Sequence, residues 1–455
     1  MNKNKNRFYV VDLFAGCGGL SEGFRQAEFE VVSHVEMDQW ACETLKTRSI
    51  YYHLKKLKKE SVYNKFLKNE INREDILNKY PEIKEIMSHT IIQSEFGKEK
   101  FDLILKKVDA ARKFHNATRF HVVIGGPPCQ PYSIVGRARD PNRMQLDNRH
   151  FLYKHYLKII ENLQPDFFVF ENVPGLISAK VNGSGMFVQI LNDFKSLSPR
   201  YEIAPGFDEY SKKPQEYIVD SSKYGIPQRR KRIILIGYRK TLILRNRDIK
   251  NIFCMILNAK RPRYGGATIT DAIGDLPQLK PGGGSDYWWG EYTHNSLTPF
   301  QEKMREGSPG ILNHRARTHM DSDLERYKFF IEYHLNSNRN ATLIDLMRER
   351  PNLIPAHNHL DKFINRFRVQ WWNQPSSTIM AHICRDGHYY IHPDIHQCRS
   401  FTVREAARCQ SFPDNFKFEG PRTEQFKQVG NAVPPELARI IANQTFKELK
   451  KIYET

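Results

Sequence analysis

The sequence predicts an α/β protein with a doubly wound, mostly parallel sheet and a second, smaller and irregular domain. Short apolar runs alternate with stretches of helical periodicity over the first 240 residues, and a glycine-rich turn follows the first run. The periodicity weakens between about 241 and 400, where Gly, Pro, Arg and Tyr are frequent, and it returns afterwards. We therefore expect a first domain from 1–240 that is completed by 401–455, and a second domain from 241–400.

The first elements follow the order strand, glycine turn, helix, strand and acid. Residues 8–13 are predicted to be the first strand, a short helix spans about 20–27, and 30–35 form a second strand that ends at Glu36. This order is typical of one half of a doubly wound nucleotide-binding sheet.

The lysine-rich segment 48–118 has helical apolar spacing, and within it we expect a third strand near 72–76 because the doubly wound pattern requires one. Apolar runs and helix start signals predict the remaining elements. They are strands at 120–124, 167–170, 232–238 and 387–393, a helix at 148–163, a helix opened by a capping box at Thr402, and a last helix after Pro434 and Pro435.

Charge and cysteine content indicate the setting of the protein. Lys and Arg total 70 against 51 Asp and Glu, a formal net charge of +19. This excess favours a polyanionic partner, because each neutralised phosphate releases counterions, although a basic protein without such a partner has the same composition. No apolar run is long enough for a membrane span, no signal-peptide pattern is present, and the seven cysteines are odd in number and scattered. We expect a cytoplasmic protein with reduced thiols.

The glycine turn Asp12-Leu13-Phe14-Ala15-Gly16-Cys17-Gly18-Gly19 is a candidate ligand loop, since glycine lets the backbone approach a ligand at the end of a strand. Glu36 is placed to hold both hydroxyls of a ribose. The turn lacks the third glycine of a dinucleotide site, so an adenosyl ligand without a pyrophosphate fits it better than NAD. A purely structural turn and a surface acid are the alternatives.

A second loop, 125–133, carries Cys129 among prolines that fix the backbone and lower the entropy of holding a side chain in place. Glu171 ends the next strand, and both loops open at the carboxyl edge of the sheet, where ligands bind. Arg230 and Arg232 alternate in an extended segment and so share a face. The set suits a thiolate nucleophile beside a proton-sharing carboxyl group. An inert thiol, a capping acid and a solvated basic stretch are the alternatives.

Six His and Cys residues lie between 382 and 398, which raises the question of zinc. Their spacing contains no closed four-ligand pattern. We therefore predict no metal site.

Taken in order, these segments resemble the motifs of the DNA cytosine-5 methyltransferase family, in the form found in bacterial restriction–modification systems. The matching segments are 12–19, 126–130, 171–173, Gln228-x-Arg230-x-Arg232, 404–413 and 428–434. One such motif is modest evidence, whereas six in one order are specific. The resemblance spans about residues 8–240 and 375–440 and implies a Rossmann-like methyltransferase sheet.

The resemblance implies transfer of a methyl group from S-adenosylmethionine to C5 of a DNA cytosine, with S-adenosylhomocysteine as the product. By this resemblance Cys129 adds to C6 and makes C5 nucleophilic. Glu171 holds or protonates N3, Arg232 contacts O2, and Arg230 supports the pocket. The target cytosine is expected to be flipped out of the duplex.

The resemblance also implies a set of cofactor contacts, some of them far apart in the chain. They are Phe14, Gly16, Gly18, Gly19, Glu36, Met37, Asp75, Ile76, Gly126, Pro128, Leu152, Asn431 and Val433. Because the last two lie near the C-terminus, that segment is expected to fold back onto the sheet. The spacing on either side of Asp75 is longer than in compact members of the family.

Residues 241–400 correspond to the family's variable target-recognition region, and their Arg, His, Asn and Trp content suits base and backbone contacts. The implied partners are duplex DNA and a cognate restriction endonuclease that acts on the same site without a stable complex. A monomer associated with the bacterial nucleoid through DNA is expected.

Three other functions compete with this hypothesis. They are the same reaction on tRNA, an inactive DNA-binding protein of the same fold, and a nicotinamide-dependent oxidoreductase. The long variable region favours DNA over tRNA, and the intact Cys129, Glu171 and Arg232 argue against an inactive protein. The Phe14-Ala15-Gly16 turn disfavours a nicotinamide site.

We predict that Cys129→Ala abolishes methylation, because the covalent step is lost, while cofactor binding is retained. Transfer of label from radioactive S-adenosylmethionine to DNA measures the first effect, and equilibrium binding of the cofactor measures the second. Normal turnover by the variant would refute the assignment of the nucleophile.

Overall fold

A single large sheet organises the first half of the chain. The computed structural model describes residues 7–128, 152–181, 184–204, 213–258, 266–292, 297–356 and 364–454. The strands in these ranges are β1 (Tyr9–Leu13), β2 (Glu30–Glu36), β3 (Ile91–Gln93), β4 (Val122–Gly125), β5 (Phe167–Asn172), β6 (Lys180–Val181), β7 (Ser184–Gly185), β8 (Tyr201–Ala204), β9 (Ile218–Asp220), β10 (Lys231–Arg239), β11 (Gly284–Gly290) and β12 (Ile311–Arg315).

Eight of these strands form the sheet, in the order β3-β2-β1-β4-β5-β10-β8 with β9 also paired to β10. The first five run parallel, and β10 is antiparallel to β5, β8 and β9. β6 with β7 and β11 with β12 form separate two-stranded pairs. The parallel half has the predicted doubly wound order, with connections that cross from one strand to the next through helices.

Helices connect the strands and continue to the C-terminus. They are α1 (Gly19–Gln26), α2 (Gln39–Lys56), α3 (Glu60–Leu67), α4 (Arg73–Lys79), α5 (Glu82–Thr90), α6 (Phe101–Phe114), α7 (Leu152–Leu163), α8 (Met186–Lys195), α9 (Ile252–Leu257), α10 (Ile269–Ile273), α11 (Pro299–Arg305), α12 (Asp321–Ser337), α13 (Leu343–Glu349), α14 (Val403–Cys409), α15 (Arg422–Asn431) and α16 (Pro435–Tyr453). No helix in the described ranges is long and apolar enough to cross a membrane.

Two hydrophobic cores lie on opposite faces of the sheet, because successive side chains of a strand point to opposite faces. Val11 and Val123 pack on one face against α6, α7 and α8. Val10 and Val122 pack on the other against α1, α9 and α16. Helices on both faces confirm the doubly wound α/β fold, and α16 makes the expected return of the C-terminus onto the sheet.

The predicted third strand at 72–76 is wrong. Asn72 and Asp75 form a capping box in which each side chain accepts a hydrogen bond from the other's backbone amide, and this starts helix α4. Ile76 is buried in the cluster that joins α2 to the short helices after it. The third strand is β3, which begins at Ile91 and pairs with the end of β2. The lysine-rich segment 48–118 is mostly helical, as its apolar spacing predicts.

The predicted strand at 387–393 is also wrong. Gly387 has a φ of 77°, which turns the chain at the start of the segment. Ile391 makes isolated bridges to Val369 and to Ser400, and no ladder extends from them among the described residues. Tyr390 and Ile391 are instead buried in two different hydrophobic clusters.

Residues from the second predicted domain, 241–400, pack both against the sheet and against the C-terminal helices. Ile252 and Ile256 of α9 lie in the core beneath α16. Ile269 of α10 shares a third cluster with Ile379 and with the helices α14 and α15. Helices α12 and α13 have a cluster of their own, which also contains Phe367.

Helix α1 lies directly against the start of α16, and Gly23 is the point of closest approach. A Cβ atom at Gly23 would collide with the backbone at Pro435 and Arg439 and with the side chain of Ala438. The missing side chain thus sets how closely the C-terminal helix packs beside the glycine turn.

We predict that Gly23→Ala lowers the free energy of unfolding by about 1–3 kcal/mol, the usual effect of overpacking a close contact. Gly185→Ala is the matched control, because a Cβ there has no atom within 4 Å. Denaturant unfolding of both variants measures the difference. Equal stability of the two variants would contradict this account of the α1–α16 contact.

Candidate active site

The carboxyl ends of the parallel strands bring the candidate site together. β1 ends at Leu13 opposite Gly125 of β4, and Gly125 lies opposite Phe170 of β5. The glycine turn, the loop at 126–128 and Glu171 therefore open at one edge of the sheet, as the sequence predicts. This is the edge at which α/β proteins bind their ligands.

The glycine turn depends on its glycines for two reasons. Gly16 and Gly18 have φ values of 53° and 89°, in the left-handed region that glycine adopts without strain. A Cβ at Gly18 would lie 2.8 Å from the side chain of Leu45, and one at Gly19 would collide with the carbonyl of Val433. A Cβ at Gly16 would meet nothing within 4 Å, so this part of the turn borders open space.

Glu36 ends β2 beside this turn and is held by backbone amides. Its Oε2 accepts a hydrogen bond from the Gly16 amide at 2.7 Å, and its Oε1 accepts from the amides of Met37 and Asp38 at 2.9 Å. Burial raises the pKa of Glu36, against the lowering effect of these amides. Three of the four lone-pair sites of the carboxylate are thus used, and the remaining one, on Oε2, can accept a hydroxyl of a ligand.

A buried polar group lies beneath the turn and was missed by sequence reasoning. Ser21 donates a hydrogen bond to the carboxylate of Asp12, and its Oγ lies 3.1 Å from Nδ1 of His34. Burial raises the pKa of Asp12 to about 7 and holds the pKa of His34 well below its usual value. An acid inside an otherwise apolar strand was the available signal. The group ties β1, β2 and α1 together below the turn.

Glu171 and Arg232 form a close pair at the other side of the edge. The Nε of Arg232 lies 2.8 Å from Oε1 of Glu171, and both side chains are largely buried. A Cβ at Gly126 would lie 2.7 Å from Oε2 of Glu171, so the carboxylate lies against the loop that leads to Cys129. The side-chain amide of Asn172 donates to the carbonyl of Pro127 at 3.3 Å. Cys129 itself lies outside the described residues.

Arg230 is directed into the protein interior. Its guanidinium donates to the carbonyl of Ile379 at 2.7 Å and to that of Gly430 at 3.1 Å. Burial holds its pKa well below the ordinary value for arginine. Arg230 thus joins the strand that carries Arg232 to two segments from the C-terminal third of the chain.

Four further predicted cofactor residues come from the loop after β4, the start of α7 and the C-terminal segment. Val433 lies against the glycine turn, Pro128 is half-buried in the loop after β4, and Leu152 begins α7 beside the first core. Asn431 is exposed at the end of α15. Val433 and Pro128 therefore lie on or next to the carboxyl edge of the sheet.

The resemblance implies that Asp75 and Ile76 contact the cofactor. In the structure they lie in α4, where Asp75 caps the helix and Ile76 is buried, and not at the end of a strand of the sheet. The residue that follows β3 at the edge is Ser94, whose amide donates to the carbonyl of Glu36 at 2.9 Å. Phe96 packs on Phe14, with ring centroids 4.8 Å apart.

Three of the His and Cys residues at 382–398 have partners that are not arranged around a common point. Nδ1 of His388 lies 2.7 Å from the hydroxyl of Tyr327, and Nε2 of His392 lies 3.6 Å from Glu405. The thiol of Cys398 donates to the carbonyl of Leu324. No three His, Cys, Asp or Glu side chains are grouped as metal ligands in the described part of the chain.

Comparison with known proteins gives one consistent result. A family model described as C-5 cytosine-specific DNA methylase matches residues 8–78 and 82–447. The chain is 40% identical over 451 residues to the type II methyltransferase M.Bpa9945I of Bacillus paralicheniformis, covering 95% of this chain and 97% of that protein. It is 28% identical to the type II methyltransferase M.DdeI of Desulfomicrobium norvegicum, covering 96% and 88%. A crystal structure of a putative prophage-encoded DNA modification methyltransferase from E. coli has a TM-score of 0.62 and 25% identity, covering 97% and 99%.

We predict that Asp12 makes the protein less stable as pH rises from about 4 through 7. Its folded-state pKa of about 7 lies above the unfolded value of 3.8, so folding favours the protonated form and loses that advantage when the group ionises. Asp12→Asn should therefore gain stability relative to the native protein over this range. Urea unfolding at several pH values measures the effect, with the exposed Asp102→Asn as a charge-matched control. Parallel profiles for Asp12→Asn and the native protein would contradict it.

Proposed function

Because the chain belongs to the C-5 cytosine-specific DNA methylase family and is a DNA cytosine-5 methyltransferase, we propose that it methylates a flipped-out cytosine in a specific duplex site through a covalent adduct of Cys129. The mark would protect host DNA in a type II restriction–modification system, as the names of its relatives suggest. A partner endonuclease would cleave the same site when it is unmodified.

The observation that carries this proposal is the Glu171–Arg232 pair against Gly126. A carboxyl group at this place holds N3 of the cytosine, and the guanidinium hydrogen-bonds to O2, so negative charge that develops on the ring is stabilised. The Cys129 thiolate forms the bond to C6, and the electron pair of the C5–C6 double bond becomes available at C5. After methylation a base removes the C5 proton, the double bond re-forms and the thiolate leaves.

S-adenosylmethionine supplies the methyl group as an electrophilic sulfonium. The residues that we propose to hold it are Phe14, Gly16, Gly18, Gly19, Glu36, Met37, Gly126, Pro128, Leu152, Asn431 and Val433. The open space beside Gly16 and the amide-held carboxylate of Glu36 support this choice. Ser94 and Phe96, which follow β3, take the place proposed earlier for Asp75 and Ile76.

Residues 241–400 are proposed to select the DNA site. The net charge of +19 supports a phosphate-rich partner. We further propose a cytoplasmic monomer that meets the nucleoid only through DNA.

The substrate class is tested with purified protein, radiolabelled S-adenosylmethionine and either unmethylated bacterial genomic DNA or bulk tRNA. We expect label in the DNA and none in the tRNA, and base-resolution sequencing of the product should show 5-methylcytosine at one recurring sequence. The Cys129→Ala variant is the negative control. Labelled tRNA with unlabelled DNA would refute the proposal.

A further inference from the structure

Two buried glutamines connect the base pocket to the C-terminal segment. Gln228 and Gln410 are both fully buried, and the Gln228 side-chain amide donates to Oε1 of Gln410 at 3.1 Å. The Gln410 amide in turn donates to the carbonyls of Val429 at 2.7 Å and Ala432 at 3.3 Å. The side-chain oxygen of Gln228 accepts a hydrogen bond from the Ile379 amide at 2.9 Å. These hydrogen bonds form a continuous series, the glutamine connection, that runs from Ile379 through both side chains to Val429 and Ala432.

The groups that hydrogen-bond to the two glutamines determine which end of each side-chain amide is the nitrogen and which is the oxygen. The carbonyls of Val429 and Ala432 can only accept, so the nitrogen of Gln410 must face them. The oxygen of Gln410 then faces Gln228, which must donate, and the oxygen of Gln228 faces the Ile379 amide. Amides arranged head to tail polarise one another and strengthen the chain. The side chains therefore form one directional connection across the core.

The two ends of the connection lie at the two halves of the proposed site. Ala432 stands between Asn431 and Val433, and the Val433 carbonyl lies against Gly19 of the glycine turn. At the other end, Gln228 precedes the strand that carries Arg232. Arg230 makes a parallel link from that strand to the carbonyl of Gly430. Hydrogen bonds of Gln228, Gln410 and Arg230 thus join the C-terminal segment to the strand that carries Arg232.

We propose that Gln410 and Gln228 are positioning residues that hold the Glu171–Arg232 pocket at the correct distance from the cofactor segment 429–433. Neither side chain has a place in the proposed cofactor or cytosine contacts, and both act through the segments that they join. The proposal rests on the proposed function, because the methyl group must lie in line with C5 for transfer. Misplacement of reacting groups by about 1 Å costs roughly a hundredfold in rate.

Gln410→Met tests the proposal, since methionine has a similar volume and cannot form the chain. The measurement is the single-turnover rate of methyl transfer to unmethylated bacteriophage DNA. The rate is expressed per S-adenosylhomocysteine-binding site, so that it is corrected for the amount of folded protein. We expect this rate to fall roughly tenfold or more, with the KM values for DNA and cofactor within about threefold of the native values. Gln228→Met should have the same effect, and the double variant should be no slower than either, because each breaks the same connection.

Gln425→Met is the matched control. Gln425 is buried in α15 and donates to the carbonyl of Gly420, outside the connection. The Gln425→Met variant should lose stability like the other variants but keep the native rate of methyl transfer per cofactor-binding site. A second variant, Gln410→Glu, should recover rate as pH falls, because a protonated carboxyl group can again donate to Val429.

An unchanged rate per site in Gln410→Met, or an equal loss in Gln425→Met, would overturn the positioning role. Additive losses in the double variant would overturn the single connection. Failure of the native protein to methylate DNA would overturn the proposed function itself. The native protein alone tests that function, whereas the variants test only the positioning role.

Discussion

The close approach of the C-terminal segment to the glycine turn is the contact on which the site depends. Gly19 and Gly23 leave room for the backbone at Val433, Pro435 and Arg439. Through this contact, two parts of the chain more than 400 residues apart form one wall of the proposed cofactor site. The contact is steric, so it is set by the absence of side chains and can be lost by adding one methyl group.

Buried ion pairs hold segments of the C-terminal third together. Arg399 makes a bidentate pair with Glu405, at 2.7 and 2.8 Å, and Arg408 bridges Asp275 and Asp414. Neighbouring charges hold the pKa values of Glu405 and Asp414 below their ordinary range. Removing one member would leave an uncompensated buried charge, which costs far more than a surface pair. Helix α14 is thereby locked both to the C-terminal loop and to residues near 275.

The sequence predicted the parallel half of the sheet well, because buried strands and the glycine turn have strong local signals. It located Glu171 and Arg232 at the same edge, and their 2.8 Å contact agrees with that placement. The third strand was missed because β3 has only three residues and follows a run of short helices. Three residues carry too little periodicity to distinguish a strand from a turn. The capping box at Asn72 was present in the sequence and indicates a helix.

The side-chain connections could not be predicted. Gln228 and Gln410 are 182 residues apart, and nothing in local sequence indicates that their amides meet. The buried group of Asp12, Ser21 and His34 depends in the same way on how strands and helix pack. Polar contacts of this kind follow from the tertiary arrangement, so they become visible only after the fold is known.

The short helices α3 to α5, which follow α2, limit how far residues 241–400 can be exchanged as a separate module. Leu312 of β12 is buried in the same cluster as Tyr63 and Phe66 of α3, and Trp288 packs against that cluster. Lys68 also reaches Glu291 across the same boundary. A graft that exchanged residues 241–400 with those of a relative would strip this cover from α3 and expose apolar surface. If residues 241–400 select the DNA site as proposed, a change of target site by exchange of this region must keep its contacts with α3 matched.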